Sequence, residues 1–311
     1  MQAAAAAELE TFEQTPSARF TVGSFDTIGR RTEMQDTMLL RGRFRGRDNE
    51  DLYAVFDGHG ARKSAVFVAT HLPDILARHL ERDESDPSAC LRATFLELNS
   101  LMADHSAYGT TAVVALFKDS MLYVANVGDS RAVLCRNTAA VRLSVDHTTE
   151  LEEERARVEA LGGFIRNGRV QGVIQVTRAL GDAAVQPFVS GEPHVAATEL
   201  TNDDSFLILA CDGLFDIFTD QVAVQIGRAN PDPVVASKKL VDQAYISGST
   251  DNISCLVVRI KPEEQHTFKR AAPPTTASAL PKHLRQPKKP VISASAPTIA
   301  PLSATSDIVE V

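Results

Sequence analysis

Four aspartates stand at the rims of apolar runs that read as strands. Asp57 closes Tyr53-Ala-Val-Phe56, and Asp212 closes Phe206-Leu-Ile-Leu-Ala-Cys211. Asp251 immediately precedes the run that starts at Ile253. Asp36 follows Arg30-Arg-Thr-Glu-Met-Gln35, after a strand expected over Phe20 to Ser24. Acids are depleted in strands. At the edge of a buried sheet a carboxylate costs roughly several kcal/mol unless a partner or a cation offsets it. Asp before Gly is also ordinary turn chemistry, and that reading stays open for any one of the four. For all four together a shared cation is the better reading.

Glycine accompanies two of them, in Asp57-Gly58-His59-Gly60 and Asp212-Gly213. Without a Cβ, the backbone can approach an ion and offer its carbonyl. Oxygen donors without close Cys pairs favour Mg2+ or Mn2+ over zinc. A carboxylate shared by two such ions holds them about 3.5–4 Å apart, with an activated water between them. His59, beside Asp57, is a candidate general acid for a leaving alkoxide. Arg31 lies five residues before Asp36. Its guanidinium suits bidentate phosphate binding, with Arg30 its competitor on sequence grounds.

The elements that must position these groups alternate between strand and helix signals from about residue 19 to 260. Leu72, Leu76, His79 and Leu80 follow helical spacing within 63–80, as do Leu91, Phe95, Leu98 and Met102 within 88–103. Three strand-like runs follow, Thr110 to Phe117, Met121 to Val127 and Ala132 to Cys135, separated by turn residues. A helix is expected from Leu151 to Leu161, stopping at Gly162-Gly163. Strands are expected at Val195 to Leu200 and Phe206 to Cys211, helices near 219–228 and 231–246, and a last strand over Ile253 to Ile260. Hairpins without regular βαβ crossovers point to an α+β fold of antiparallel sheets with helices packed outside.

Composition sets the limits. The 311 residues are 44% apolar and 23% charged, enough to bury a core. Thirty-two basic against 40 acidic residues give a net charge of −8, which disfavours nucleic acid as a partner. No apolar run approaches the ~18 residues of a membrane helix, and no membrane partner is expected. Cys90, Cys135, Cys211 and Cys255 are too scattered for a zinc motif or a disulfide framework, so reduced core thiols are expected. Residues 262–311 hold eight of the 15 prolines. That segment reads as a disordered Pro/Ala/Ser-rich tail, 1–18 as a flexible lead, and 19–261 as the catalytic domain.

Several motifs stand in register: Arg31-Thr-Glu-Met-Gln-Asp36, Val55-Phe-Asp-Gly-His-Gly60, Gly109-Thr-Thr-Ala-Val113, Val124-Ala-Asn-Val-Gly-Asp-Ser-Arg131, Asp146-His147 and Gly162-Gly163. They continue with Val176-Thr-Arg-Ala-Leu-Gly-Asp182, Leu209-Ala-Cys-Asp-Gly-Leu-Phe-Asp216 and Asp251-Asn-Ile-Ser254. In this order, from about Thr21 to Ile260, the chain resembles the metal-dependent protein phosphatases of type 2C.

The resemblance implies a four-layer αββα sandwich and a phosphoserine/phosphothreonine protein phosphatase working on two Mg2+ or Mn2+ ions. Asp57 is expected to bridge the ions, Asp212 and Asp251 to bind one, and the Gly58 carbonyl the other. Asp36 would act through bound waters, Arg31 on the substrate phosphate, and His59 on the leaving oxygen. Asp146 and Asp216 are assigned to a weaker third ion, and Asp129 and Asp182 to holding loops. Two departures stand out. Gln35 replaces a frequent Glu, which predicts weaker metal affinity, and Ala61 replaces a frequent second Gly. The alternative is a weak pseudophosphatase serving as an interaction module, with Gln35 its only support. Phosphorylated proteins are the expected partners. A cytoplasmic monomer is expected, with the nucleus as a second compartment.

Overall fold

The strand period shows most plainly in β3 (Glu50–His59). Leu52, Ala54 and Phe56 pack toward helices, while Tyr53 and Val55 pack toward a second sheet. That alternation is what a strand buried on both faces requires. The computed structural model describes residues 14–103 and 108–260. The expected tail, 262–311, and the first thirteen residues of the expected lead lie outside the described residues.

Two antiparallel sheets stack face to face. The first runs in the order β11 (His194–Glu199), β6 (Met121–Val127), β5 (Ala112–Lys118), β3, β2 (Asp36–Arg41), with β4 (Gly109–Thr110) pairing the end of β3. The second runs β1 (Phe20–Thr27), β13 (Ile253–Ile260), β12 (Asp204–Ala210), β7 (Arg131–Arg136), β8 (Ala139–Arg142). Between them Tyr53, Val113, Ala115 and Phe117 meet Leu134, Leu207, Leu209, Leu256 and Val258. The Phe20 and Phe117 rings lie 4.7 Å apart.

Helices α1 (Lys63–Arg82) and α2 (Pro87–Ala103) cover the outer face of the first sheet, burying the Leu72–Leu76–Leu80 and Leu91–Phe95–Leu98–Met102 stripes read from spacing. Helices α5 (Asp220–Ala229) and α6 (Pro233–Ile246) cover the second through Ala223, Val224, Leu240 and Val241. Thr219 caps α5 through its hydroxyl and Asp232 caps α6 through its carboxylate. This is the αββα sandwich expected. A smaller lobe holds α3 (Glu152–Ala160) and the hairpin of β9 (Ile165–Arg166) and β10 (Arg169–Val170), around Val158, Val170, Val176 and Val189. Among the described residues no helix is long and apolar enough to cross a membrane.

Several boundaries differ from the sequence reading. The strand expected to stop at Phe56 continues to His59, because β2 pairs Asp36 with Asp57 and β4 pairs Gly109 with His59. Cross-strand partners here override the weak strand preference of Asp and Gly. Strand β2 itself lay outside the expected elements, since Asp36-Thr-Met-Leu-Leu-Arg41 has no clean alternation. Asp212 does not cap β12 but opens a four-residue helix, α4 (Asp212–Phe215). Residues 14–18, placed in the flexible lead, are tied down: the Thr15 amide donates to the Leu40 carbonyl, and Thr15 Oγ1 donates to the Gly42 carbonyl at 2.7 Å.

Candidate metal centre

The site forms where the two sheets end side by side. Asp36 and Asp57 are direct cross-strand partners, so their carboxylates project from adjacent positions. The second sheet brings in Ser254, whose hydroxyl donates to Asp36 Oδ2 at 2.7 Å. Asp57 is held through its backbone. The Thr111 amide donates to the Asp57 carbonyl at 2.9 Å, and Thr111 Oγ1 accepts from the Asp57 amide at 3.3 Å. Asp212 enters from the first turn of α4 and Asp251 from the loop before β13.

That convergence depends on close backbone packing. A Cβ on Gly213 would lie 2.0 Å from the Asn252 carbonyl oxygen, so only glycine lets the Asp212 turn sit against the Asp251 loop. Asn252 then fastens the Arg31 loop. Its Oδ1 accepts from the Gln35 amide at 2.8 Å, and its Nδ2 donates to the Ile28 and Glu33 carbonyls, each at 2.9 Å. Arg31 Nη2 lies 2.6 Å from Asp251 Oδ2, with half of its side chain open to solvent. Gln35 thus serves the site through its backbone.

The charges are crowded. Burial, and then the neighbouring Asp36, Asp212, Asp129 and Asp251, push the Asp57 carboxyl well above the usual range. Burial followed by Asp129, Asp251 and Asp216 does the same to Asp212. Burial raises Asp36 to about 6, against the opposing hydrogen bonds of Ser254 and Cys211. Asp36 Oδ1 and Asp212 Oδ1 are buried without a hydrogen-bond partner. Such oxygens cost free energy unless a cation or proton meets them. A divalent ion fits this donor set.

Asp36, Asp57 and Cys211 offer atoms all within 4.8 Å of one another. The Cys211 sulfur, however, accepts from the Ser254 amide at 3.2 Å, and burial pushes its thiol far up. It stays protonated, leaving hard oxygen donors, which suit Mg2+ or Mn2+.

Two sequence assignments sit differently in space. Asp146, assigned to a third ion, has both oxygens engaged by Arg131, and Oδ2 also by Arg142 at 3.2 Å. The same two arginines hold Asp220. Asp146 therefore braces both arginines while still bordering the acidic cluster, where it is the foremost charge acting on Asp129. Asp129, assigned to loop-holding, lies inside the acidic cluster instead: burial, then Asp146 and Asp216, raise its carboxyl to about 7. Asp129 is also the foremost charge acting on Asp212. The one sequence signal was its place in Gly128-Asp-Ser-Arg131 directly after an apolar strand, the same context that singled out Asp57. Asp216 is exposed at the mouth, acting on Asp212 and Asp129. Gly58 lies between Asp57 and His59 on β3, paired with Thr110. His59 reaches Asp182, with Nε2 2.7 and 2.8 Å from its two oxygens.

A double β-sandwich with a buried carboxylate cluster at one edge defines a protein built to hold divalent cations there. Residues 20–253 match the family profile described as Protein phosphatase 2C. The chain is 35% identical over 287 residues to "Probable protein phosphatase 2C 71" of Arabidopsis thaliana, covering 89% of this chain and 64% of that one. It is 38% identical over 264 residues to "Probable protein phosphatase 2C 59" of Oryza sativa subsp. japonica, covering 82% and 80%. The chain therefore spans just under two thirds of the first relative's length and four fifths of the second's. Among solved structures, a C. elegans sex-determining protein superposes with a TM-score of 0.74 at 29% identity, covering 83% of this chain and 69% of that one. The chain belongs to the protein phosphatase 2C family, a family of metal-dependent serine/threonine protein phosphatases.

Proposed function

We propose that the chain removes phosphate from phosphoserine and phosphothreonine in proteins, using two Mg2+ or Mn2+ ions at the Asp36–Asp57–Asp212–Asp251 cluster. The observation that carries this reading is the convergence of these acids, with two buried oxygens left unpartnered, at the shared edge of both sheets. When bound, the cations supply charge neutralisation at the phosphoryl group and an activated water. Asp57, central to the cluster, would hold the cations together with Asp212, Asp251 and the Gly58 carbonyl. Asp36, fixed by Ser254, orients bound water. Our candidates for a weaker third ion are Asp146 and Asp216, the two acids whose charges act on Asp129.

Arg31, anchored at Asp251 and open to solvent, receives the phosphate oxygens. His59 gives a proton to the leaving serine or threonine oxygen. A cysteine nucleophile is not available, since Cys211 is buried and hydrogen-bonded. A pseudophosphatase would have lost direct ligands, whereas Asp57, Asp212 and Asp251 are all present. We read the protein as a cytoplasmic monomer with access to the nucleus.

The test is hydrolysis of a phosphothreonine peptide by the full chain with Mn2+ or Mg2+, again with EDTA, and again with Asp212→Asn. Metal-dependent phosphate release that the variant lacks is the expected result. A folded wild-type protein that releases no phosphate at millimolar metal would refute the reading.

A further inference from the structure

His59 does not stand alone, and what holds it is built rather than incidental. Asp182 is 7% exposed and sits at a left-handed backbone position, φ 54°, directly after Gly181. Its loop is joined to the strand that carries His59. The Thr110 amide donates to the Leu180 carbonyl at 2.9 Å and the Leu180 amide donates to the Thr110 carbonyl at 3.0 Å, while β4 pairs Gly109 with His59. Two further contacts lock the turn: the Gly181 amide donates to Asn99 Oδ1 at 2.9 Å, and Gln186 Nε2 donates to the Gly181 carbonyl at 2.9 Å. Gly109 leaves the gap in which the pair meets. A Cβ there would lie 2.1 Å from Asp182 Oδ2 and 2.6 Å from His59 Nε2.

We infer that Asp182 is the positioning residue of the catalytic histidine: it holds Nε2–H and so leaves Nδ1 as the nitrogen that serves the leaving oxygen. This rests on the phosphatase reading and deepens it. Which imidazole nitrogen is free is set by the hydrogen bond the other one makes. A ring fixed at Nε2 from two carboxylate oxygens can neither flip nor swing away from the strand face it shares with Asp57.

The proton balance follows. As the bond from phosphorus to the serine or threonine oxygen breaks, its electron pair stays on that oxygen, and the proton from Nδ1 completes the hydroxyl. Water supplies the oxygen that replaces it on phosphorus, and one of that water's protons restores Nδ1–H.

The experiment compares two substrates. A phosphothreonine peptide has a leaving alkoxide that needs the proton, while p-nitrophenyl phosphate has a stable phenolate that does not. Positioned general acids contribute roughly 10²–10⁴-fold. Asp182→Asn, which keeps the side-chain volume, is therefore expected to lower kcat on the peptide about 10–100-fold with KM nearly unchanged. On p-nitrophenyl phosphate its loss should be about threefold or less. In His59→Ala, adding Asp182→Asn should cost nothing further on the peptide, because the carboxylate acts only through the ring.

Equal losses on both substrates, or additive losses in the double variant, would overturn the inference and make Asp182 a fold-holding residue. A wild type inactive on both substrates would instead reject the phosphatase reading itself. Far-UV spectra and melting temperatures of the variants separate misfolding from either outcome.

Discussion

Metal binding by this protein should release protons, and its strength should climb steeply between pH 5 and 7. Burial raises the Asp36 carboxyl from 3.8 to about 6 and Asp129 from 3.8 to about 7, with Asp57 and Asp212 well above their ordinary value. Groups whose folded pKa is raised hold protons that the unfolded chain has lost. Their stabilisation is complete below about pH 4 and disappears as pH rises through 6 and 7. A bound cation reverses the sign, because it needs the ionised carboxylates and expels those protons.

Each proton expelled changes the apparent Kd about tenfold per pH unit, or roughly 1.4 kcal/mol. Between pH 5 and 6 Asp36 and Asp129 both still carry protons and alone account for up to about a hundredfold, to which the raised Asp57 and Asp212 add. Between pH 6 and 7 the share of these two eases toward about tenfold as Asp36 ionises. Over that span the stability difference between metal-loaded and EDTA-treated protein should widen by at least about 3–4 kcal/mol.

Taking that difference is essential, because other buried groups titrate nearby. His147 is lowered to about 3 and Glu154 to about 2, and both favour the fold more as pH rises through their unfolded values. Neither is among the proposed cation ligands, so to first order their contributions cancel between the two states. The assay is Mn2+ titration calorimetry at pH 5, 6 and 7 in two buffers of different ionisation heat, with denaturant melts in Mg2+ and in EDTA. Asp129→Asn should reduce the protons released at pH 6 by about one. A Kd that moves less than about threefold per pH unit, with heats independent of buffer, would refute the reasoning. The acids would then be ionised before the metal arrives.

Other expectations are more local. Asn252→Ala removes three hydrogen bonds to the Ile28–Gln35 loop. It should cost about 2 kcal/mol in urea melts and raise KM for phosphopeptide by freeing Arg31; an unchanged KM would separate the loop from substrate binding. Gly213→Ala must displace the Asn252 carbonyl, so Mn2+ affinity should fall at least about tenfold, and an unaltered affinity would show that the Asp212 and Asp251 turns need not touch. Arg131→Leu strips one partner from buried Asp146 and Asp220. It should destabilise by about 3–5 kcal/mol, a figure denaturant melts would contradict if the loss stayed under about 1. Gln35→Glu adds a charge beside the cluster and should tighten Mg2+ severalfold, read from the metal dependence of turnover.

The secondary-structure framework was legible because its signals are local. The leucine stripes of α1 and α2, the turns at Lys118-Asp119-Ser120 and Gly128-Asp129-Ser130, and the last strand at Ile253 are carried by neighbouring residues alone. Acids at the ends of apolar runs likewise marked Asp57, Asp212 and Asp251 without any knowledge of contacts. What β2, α4 and the extended end of β3 needed was a partner strand or a packed turn, and pattern in one segment cannot report those.

The same limit separated the aspartates by role. Asp146 and Asp129 stand near similar turns, yet two arginines from β7 and β8 hydrogen-bond Asp146, while Asp129 feels Asp146, Asp216 and Arg131 through their charges. Asp182 read as a loop residue until the Thr110–Leu180 pairing set it against His59. Residue type and spacing determined which chemistry this chain carries. Which groups each acid faces was decided in the tertiary structure, because a carboxylate's surroundings depend on contacts distant in sequence, and Ser254 reaches Asp36 across 218 residues of chain.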